Sequence, residues 1–335
     1  MRRITVYIVA MLLLAANVAC KQREITANMT DEEKLEVLDI KIDRSPKDAD
    51  LLKQRAEVLF RMHKNKEALY DLTKANEYRP DDMEILLLQA DVLFANGNAE
   101  ESYKTLAKAE TIEPDNIEVQ LKLGELLFYI RDYDRALTTL TKVTDQEREN
   151  KTALYMKAFI YKEKGDTANA VQLYRKVCDL YPDYEPPFEE LGIIYTDKNP
   201  TLAIEYLNTA LRLNPSNTNA MYALAMLYQD HNDMENAEAL YAKLLDINPH
   251  SADALHNLGY IELFYYKDYN RAIEYFTKAL ECDGHHLSAL VNRGCAHELN
   301  NETALALADY SNALNLDNYF QPAIDGYNRL KSKSK

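Results

Sequence analysis

The chain has 335 residues, 47% hydrophobic and 28% charged, with 54 acidic against 39 basic side chains and a formal net charge of -15. That balance excludes intrinsic disorder. It also excludes a surface for nucleic acid phosphate or anionic lipid headgroups, which so acidic a chain repels. Scarce glycine (8) and proline (10) fit a mostly helical chain with short turns.

Arg2 and Arg3 open the chain, and Ile4–Ala16 is an apolar run that Thr5 interrupts. The run is short for a membrane span and right for an export signal. Asn17-Val18-Ala19-Cys20 follows, and the Ala19-Cys20 step resembles a bacterial lipoprotein signal. The resemblance implies cleavage after residue 19 and lipidation of Cys20, with palmitate among its acyl chains. Ordinary signal cleavage and a retained signal anchor are the other readings of this segment. Loss of residues 1–19 removes two arginines and takes the net charge from -15 to -17. Residues 20–30 have no apolar period and read as a tether. Thr30 then reads as an N-cap, with Glu33 completing a capping box.

From residue 49 the chain repeats at a period of 34. Residues 49–82 carry Leu52, Ala56, Leu59, Ala68, Leu72, Ala75 and Pro80. The same offsets return in 83–116, 117–150, 151–184, 185–217, 218–251, 252–286 and 287–320. In 218–251, Met221, Leu224, Ala225 and Tyr228 line one helix face, and Ala237, Leu240, Tyr241, Leu244 and Ile247 line another. His231-Asn232-Asp233 turns the chain between them and Pro249 stops the second helix. The small eighth residue (Ala90, Gly124, Ala158, Gly192, Ala225, Gly259, Gly294) and the small twentieth allow the two helices of a hairpin to approach closely. Bulky fourth, eleventh and twenty-fourth residues are expected to fill the gaps between hairpins. Block 185–217 is one residue short near Asn199-Pro200, and 252–286 one long near Tyr265–Tyr269. Both changes are expected in hairpin turns, where length costs least.

These blocks resemble the tetratricopeptide repeat family over about residues 49–320. The resemblance implies an all-α solenoid, a right-handed superhelix of about eight helical hairpins whose first helices line an inner groove. On that pattern residues 31–48 form an N-terminal capping helix that ends near Pro46. Residues 321–335 form a C-terminal capping helix with a basic tail.

No catalytic constellation emerges from the side chains. His63, His231, His250, His256, His285, His286 and His297 fall mostly at turns or helix ends, and no metalloprotease, phosphate-loop or nucleophile-elbow spacing occurs. The chain reads as a non-enzyme with no cofactor and no metal. Cys178 and Cys282 occupy apolar repeat positions and read as buried thiols. A disulfide between Cys282 and Cys295, on adjacent predicted helices, is compatible with an exported chain.

In the family the second, fifth, ninth, twelfth and thirteenth positions of each first helix face the groove. Carried over, the resemblance assigns a partner-binding groove to Phe60, Leu87, Phe94, Leu121, Phe128, Tyr155, Phe159, Tyr222, Met226 and Tyr260. Tyr129, Ile193, Leu263 and Phe264 join them, with Glu57, Asp91, Glu125, Glu189 and Asp230 interleaved. The expected ligand is an extended peptide or partner helix, apolar with scattered basic residues. The competing expectation is that several of these residues pack against neighbouring helices. A carboxylate clamp of the chaperone-tail type is set aside, because only Lys53 of the pairs Lys53/Glu57, Leu87/Asp91, Leu121/Glu125 and Tyr155/Phe159 fits it. The resulting expectation is an adaptor or scaffold of the bacterial cell envelope, lipid-anchored at the outer membrane and facing the periplasm, bound to one or more envelope proteins. The alternatives are a surface glycan-capture lipoprotein and a self-associating structural module, a homodimer. The 24 tyrosines and the Asp166-Thr167-Ala168 turn, which resembles an O-glycosylation acceptor, bring carbohydrate to mind. Tyr161, Tyr174, Tyr195, Tyr228, Tyr241 and Tyr310, however, recur at core positions.

Overall fold

The computed structural model describes residues 25–333, so the export-signal reading and Cys20 lie outside the described residues. Those residues form eighteen α-helices and no strand. The chain divides into two compact units, Met1–Lys164 and Gly165–Lys335. Unit 1 holds α1 (Asp31–Arg44), α2 (Ala49–Arg61), α3 (Asn65–Tyr78), α4 (Met83–Ala95), α5 (Ala99–Ile112), α6 (Ile117–Tyr129), α7 (Tyr133–Gln146) and α8 (Lys151–Glu163). Unit 2 holds α9 (Thr167–Leu180), α10 (Pro186–Tyr195), α11 (Pro200–Leu213), α12 (Thr218–Asp230), α13 (Met234–Ile247) and α14 (Ala252–Ile261). It continues through α15 (Tyr269–Cys282), α16 (Leu287–Leu299), α17 (Thr303–Leu316) and α18 (Gln321–Lys333).

In unit 1, α2–α3, α4–α5 and α6–α7 pair as hairpins; α1 packs on α2, and α7 packs on α8. In unit 2 the hairpins are α10–α11, α12–α13, α14–α15 and α16–α17, with α9 against α10 and α18 against α17. Within each unit the second helix of one hairpin also packs on the first helix of the next. Caps recur with the period. Asp48, Asp82, Asn116 and Asn150 in unit 1 each take a backbone N–H at the start of a first helix, and so do Asn217, Ser251 and His286 in unit 2. At α1 the Thr30 hydroxyl accepts from Glu33 N (3.2 Å) and the Glu33 carboxylate accepts from Thr30 N (3.0 Å), closing the expected capping box.

The hairpin turns recur too. His63, Gly97 and Arg131 in unit 1, and Asn232 and Asn301 in unit 2, take the left-handed backbone at the fifteenth repeat position, with φ between 59° and 79°. The short block 185–217 lacks this residue; Asn199 N instead bonds back to Tyr195 O (2.9 Å) and α11 starts at Pro200. The long block departs from expectation. Its extra residue sits inside the last turn of the first helix, as a π-helical turn over Glu262–Tyr266, and Lys267 takes the left-handed position behind it. Widening one turn keeps Ile261 and Leu263 in the core, at 1% and 2% exposure, which a longer loop would leave to chance.

Two further expectations need correction and one needs extending. The twenty-fourth residue reaches the next hairpin, as Tyr241 does at Asn257, but it also packs inside its own: a methyl group at Gly192 would stand 2.5 Å from Leu207 Cγ, and one at Gly124 2.7 Å from Leu140 Cδ2. Cys282 is exposed, because the thirtieth repeat position ends the second helix at a solvent edge; Tyr78, Ile112, Ile247 and Leu316 are exposed there as well. Cys178 is buried as expected, and burial pushes its thiol up to about 12. Cys178, Cys282 and Cys295 are all free thiols, so the Cys282–Cys295 disulfide is not formed.

Candidate functional site

The predicted groove residues fall on both units, and the two sets differ. In unit 1, Phe60, Phe94, Leu121, Phe128, Tyr155 and Phe159 are half-buried and Tyr129 is 65% exposed. Leu87 is a correction: it is 6% exposed and shares the core with Val119 and Leu123 of α6, so it has no surface for a partner. The aromatic rings pack on one another. Phe94 meets Tyr129 edge-on at 4.8 Å, Phe128 meets Phe159 at 5.4 Å, and Lys162 Nζ lies 4.3 Å over the Phe159 ring. Two carboxylates of unit 1's first helices are already paired: Lys122 Nζ donates to both oxygens of Asp91 (2.8 and 2.7 Å), and Lys53 pairs with Glu84. Glu84 holds the Lys53 ammonium above its ordinary value, so the one residue that fitted a carboxylate clamp is occupied by another acid.

Unit 2 carries an open groove of about 680 Å³ whose floor includes Ile193, Tyr222 and Met226. Asn257, 7% exposed on α14, sets two of these side chains. Its amide Nδ2 lies 3.1 Å from Tyr222 Oη and 3.3 Å from Met226 Sδ, and 3.0 Å from the buried Tyr241 Oη. Burial raises the Tyr222 phenol above its usual range, so it is a neutral hydrogen-bonding group at the groove wall. Four carboxylates line the groove: Glu189, Asp197, Asp230 and Asp253. No lysine or arginine lines it. Among the described residues the carboxylates of Asp197 and Asp230 make no hydrogen bond or ion pair; Asp253 stands 3.3 Å from His286 Nε2. Glu189 shares one donor with its neighbour, since Asn217 Nδ2 donates to Glu185 (2.6 Å) and to Glu189 (2.7 Å) while Asn217 Oδ1 caps α12. Burial, and then the Glu189 charge, raise the Glu185 carboxyl.

Tyr260 and Phe264 are exposed and pack together at 4.6 Å, but Leu263 is buried by the π turn and leaves the predicted groove set. His256 stacks on His286 at 4.8 Å. Sequence reasoning leaves out Asp197 and Asp253, although the thirteenth and second repeat positions they occupy would find them. Asn217 and Asn257 carry no such signal, because they act through side-chain geometry. Among the described residues no group of three or more His, Cys, Asp or Glu could hold a metal, and no helix is long and apolar enough to cross a membrane.

A family model described as the cytochrome c-type biogenesis protein H TPR domain matches residues 72–187. Two models described as tetratricopeptide repeat match residues 195–260 and 252–286. The protein O-mannosyl-transferase Tmtc3 of Drosophila melanogaster is 25% identical over 116 residues, 34% of this chain and 12% of that protein. The BBSome complex member BBS4 of Bos taurus is 27% identical over 166 residues, 49% of this chain and 31% of that protein. The chain thus spans less than a third of the length of either relative. The solved C-terminal part of a TPR repeat-containing protein from Cytophaga hutchinsonii superposes with a TM-score of 0.58 at 20% identity, covering 72% of this chain and 98% of that one.

Proposed function

Since the chain belongs to the tetratricopeptide repeat family, whose repeats are in general protein-interaction modules and not catalysts, we propose that it is a non-catalytic adaptor of the bacterial cell envelope. In this reading Cys20 is acylated and tethers the chain to the outer membrane, facing the periplasm. The unit 2 groove holds an extended segment of an envelope protein that presents apolar side chains to Tyr222 and Met226 and lysine or arginine to the carboxylates. The observation that supports it is the charge of that groove, four carboxylates with no lysine or arginine among its lining residues. Carboxylates in an apolar-floored groove are costly to bring together and gain most when a cation arrives. Unit 1 offers a poorer cation site, because Asp91 and Glu84 already hold Lys122 and Lys53.

Photo-crosslinking in intact cells from a probe at Asn219, which lines the groove, tests the reading. Peptides recovered by mass spectrometry should be rich in lysine or arginine, and the double variant Asp197→Asn, Asp230→Asn should lose the crosslink while keeping its helical circular dichroism. Undiminished capture by that variant would remove the groove from the account. The anchor is tested separately. Mass spectrometry of the mature N-terminus should find an acylated Cys20, and an unmodified Cys20 would end that part of the proposal.

A further inference from the structure

Asp197 and Asp230, which line the groove of unit 2, share the thirteenth repeat position. The next two first helices of the unit, α14 and α16, carry Phe264 and Leu299 there. The row thus changes from two acids to two large apolar side chains. Unit 1 has no such order, with Arg61, Ala95, Tyr129 and Glu163 at that position. Phe264 is 48% exposed and Leu299 47%. Phe264 packs on Tyr260, one turn earlier at the ninth position, at 4.6 Å, so the π turn keeps it on the groove side of its helix. The spacing of the row follows from the helices. α10 packs directly on α12 and α14 on α16, while Asn257 of α14 reaches Tyr222 and Met226 of α12. Helices in contact lie about 8–10 Å apart. A polyproline II segment returns a side chain to one face every three residues, about 9 Å along its axis. A β-strand does so every two residues, after about 6.6 Å, and falls short of the next helix.

We propose that the captured segment crosses these helices as polyproline II, with lysine or arginine at i and i+3 against Asp197 and Asp230, and large apolar side chains at i+6 and i+9 against Phe264 and Leu299. This rests on the unit 2 groove being the capture site. Charge chooses the first pair, because both carboxylates are uncompensated and a cation gains most there. Continuity chooses the second. A segment held at Asp197 and Asp230 that runs on along the row meets Phe264 next and Leu299 after it. Polyproline II makes no internal hydrogen bonds, so its amides stay free for polar groove residues such as Asn219. Its conformation is also set before binding, which lowers the ordering cost of capture.

Fluorescence anisotropy with the full chain and dye-labelled, proline-rich peptides tests this. A peptide with lysine at i and i+3 and leucine at i+6 and i+9 should bind in one of its two chain directions. Peptides with steps of two or four residues should bind about tenfold more weakly, the loss expected of one anchor. Phe264→Ala and Leu299→Ala change exposed side chains, and circular dichroism checks that both keep the fold. Each should weaken the three-residue-step peptide several-fold and leave unchanged a peptide that keeps the lysines but carries serine at i+6 and i+9. Equal affinity for all three steps, tighter binding of a helical peptide with a seven-residue step, or no effect of Phe264→Ala and Leu299→Ala would each overturn the proposal and leave the groove as the capture site. If no peptide binds, or none loses affinity with Asp197→Asn and Asp230→Asn, the groove itself fails and the proposal with it.

Discussion

Single residues carry strain and titration that the repeat pattern does not advertise. Arg131 holds a left-handed backbone at φ 62° in a turn where the equivalent Gly97 does the same at no steric cost. A non-glycine residue loses about 1–2 kcal/mol there, and glycine gives back roughly 0.5–1 kcal/mol through the freedom of the unfolded chain. Arg131→Gly should therefore stabilise by about 0.5–1 kcal/mol in urea unfolding. Asn232→Gly should gain less, because asparagine tolerates that conformation. His256 argues in the other direction. Its imidazole is held below the ordinary 6.5, first by burial and then by the stacked His286, while Asn257 and Asp253 oppose the shift. The unfolded chain binds this proton more readily than the folded one. The stabilisation is complete above pH 6.5 and declines as the pH falls from there through the lower folded value. His256→Gln should flatten that acid limb of the stability curve; a variant that keeps the same slope would assign the acid sensitivity elsewhere. The period puts His256 on the first helix of its block. It could not report the stack on His286, which needs two helices brought together.

Elements were legible wherever the period is unbroken and less so at its two defects. Counting to 34 finds that a block is long or short; it does not say which side of a helix end absorbs the change. In 185–217 the loss falls in the turn, as expected, and removes the left-handed residue. In 252–286 the gain falls inside the helix, since Glu262 and Leu263 are buried and the chain keeps them so by widening one turn. The same physics separates tolerant from intolerant positions. One glycine inserted after Lys198 restores the regular block length and should cost no more than about 0.5–1 kcal/mol. The same glycine after Ala225 rotates the rest of α12 by about 100°. That turns Leu227 away from the core, where it is now 4% exposed, and should abolish cooperative unfolding of unit 2.

At the scale of the whole molecule, net charge is an average that hides where charge is free to act. Repeat positions said which faces turn inward, and they spread the candidate groove over both units alike. They could not say which carboxylates a neighbouring lysine neutralises, because that pairing spans residues 31 apart, as between Asp91 and Lys122. Unit 1 therefore has its aromatic rings packed together and its acids partly compensated, while unit 2 keeps Asp197 and Asp230 uncompensated beside Tyr222 and Met226. The two kinds of groove residue should separate in salt. The screening length shrinks from about 10 Å at 0.1 M to about 3 Å at 1 M ionic strength, so capture that depends on carboxylates should weaken several-fold across that range. Asp197→Asn with Asp230→Asn should lower affinity at low salt and flatten the salt dependence. Tyr222→Ala with Met226→Ala should lower affinity at every salt and leave the slope unchanged, because the contact it removes is apolar. If both pairs shift the curve in the same way, the carboxylates act only by holding the groove in shape, and its charge is not what selects the partner.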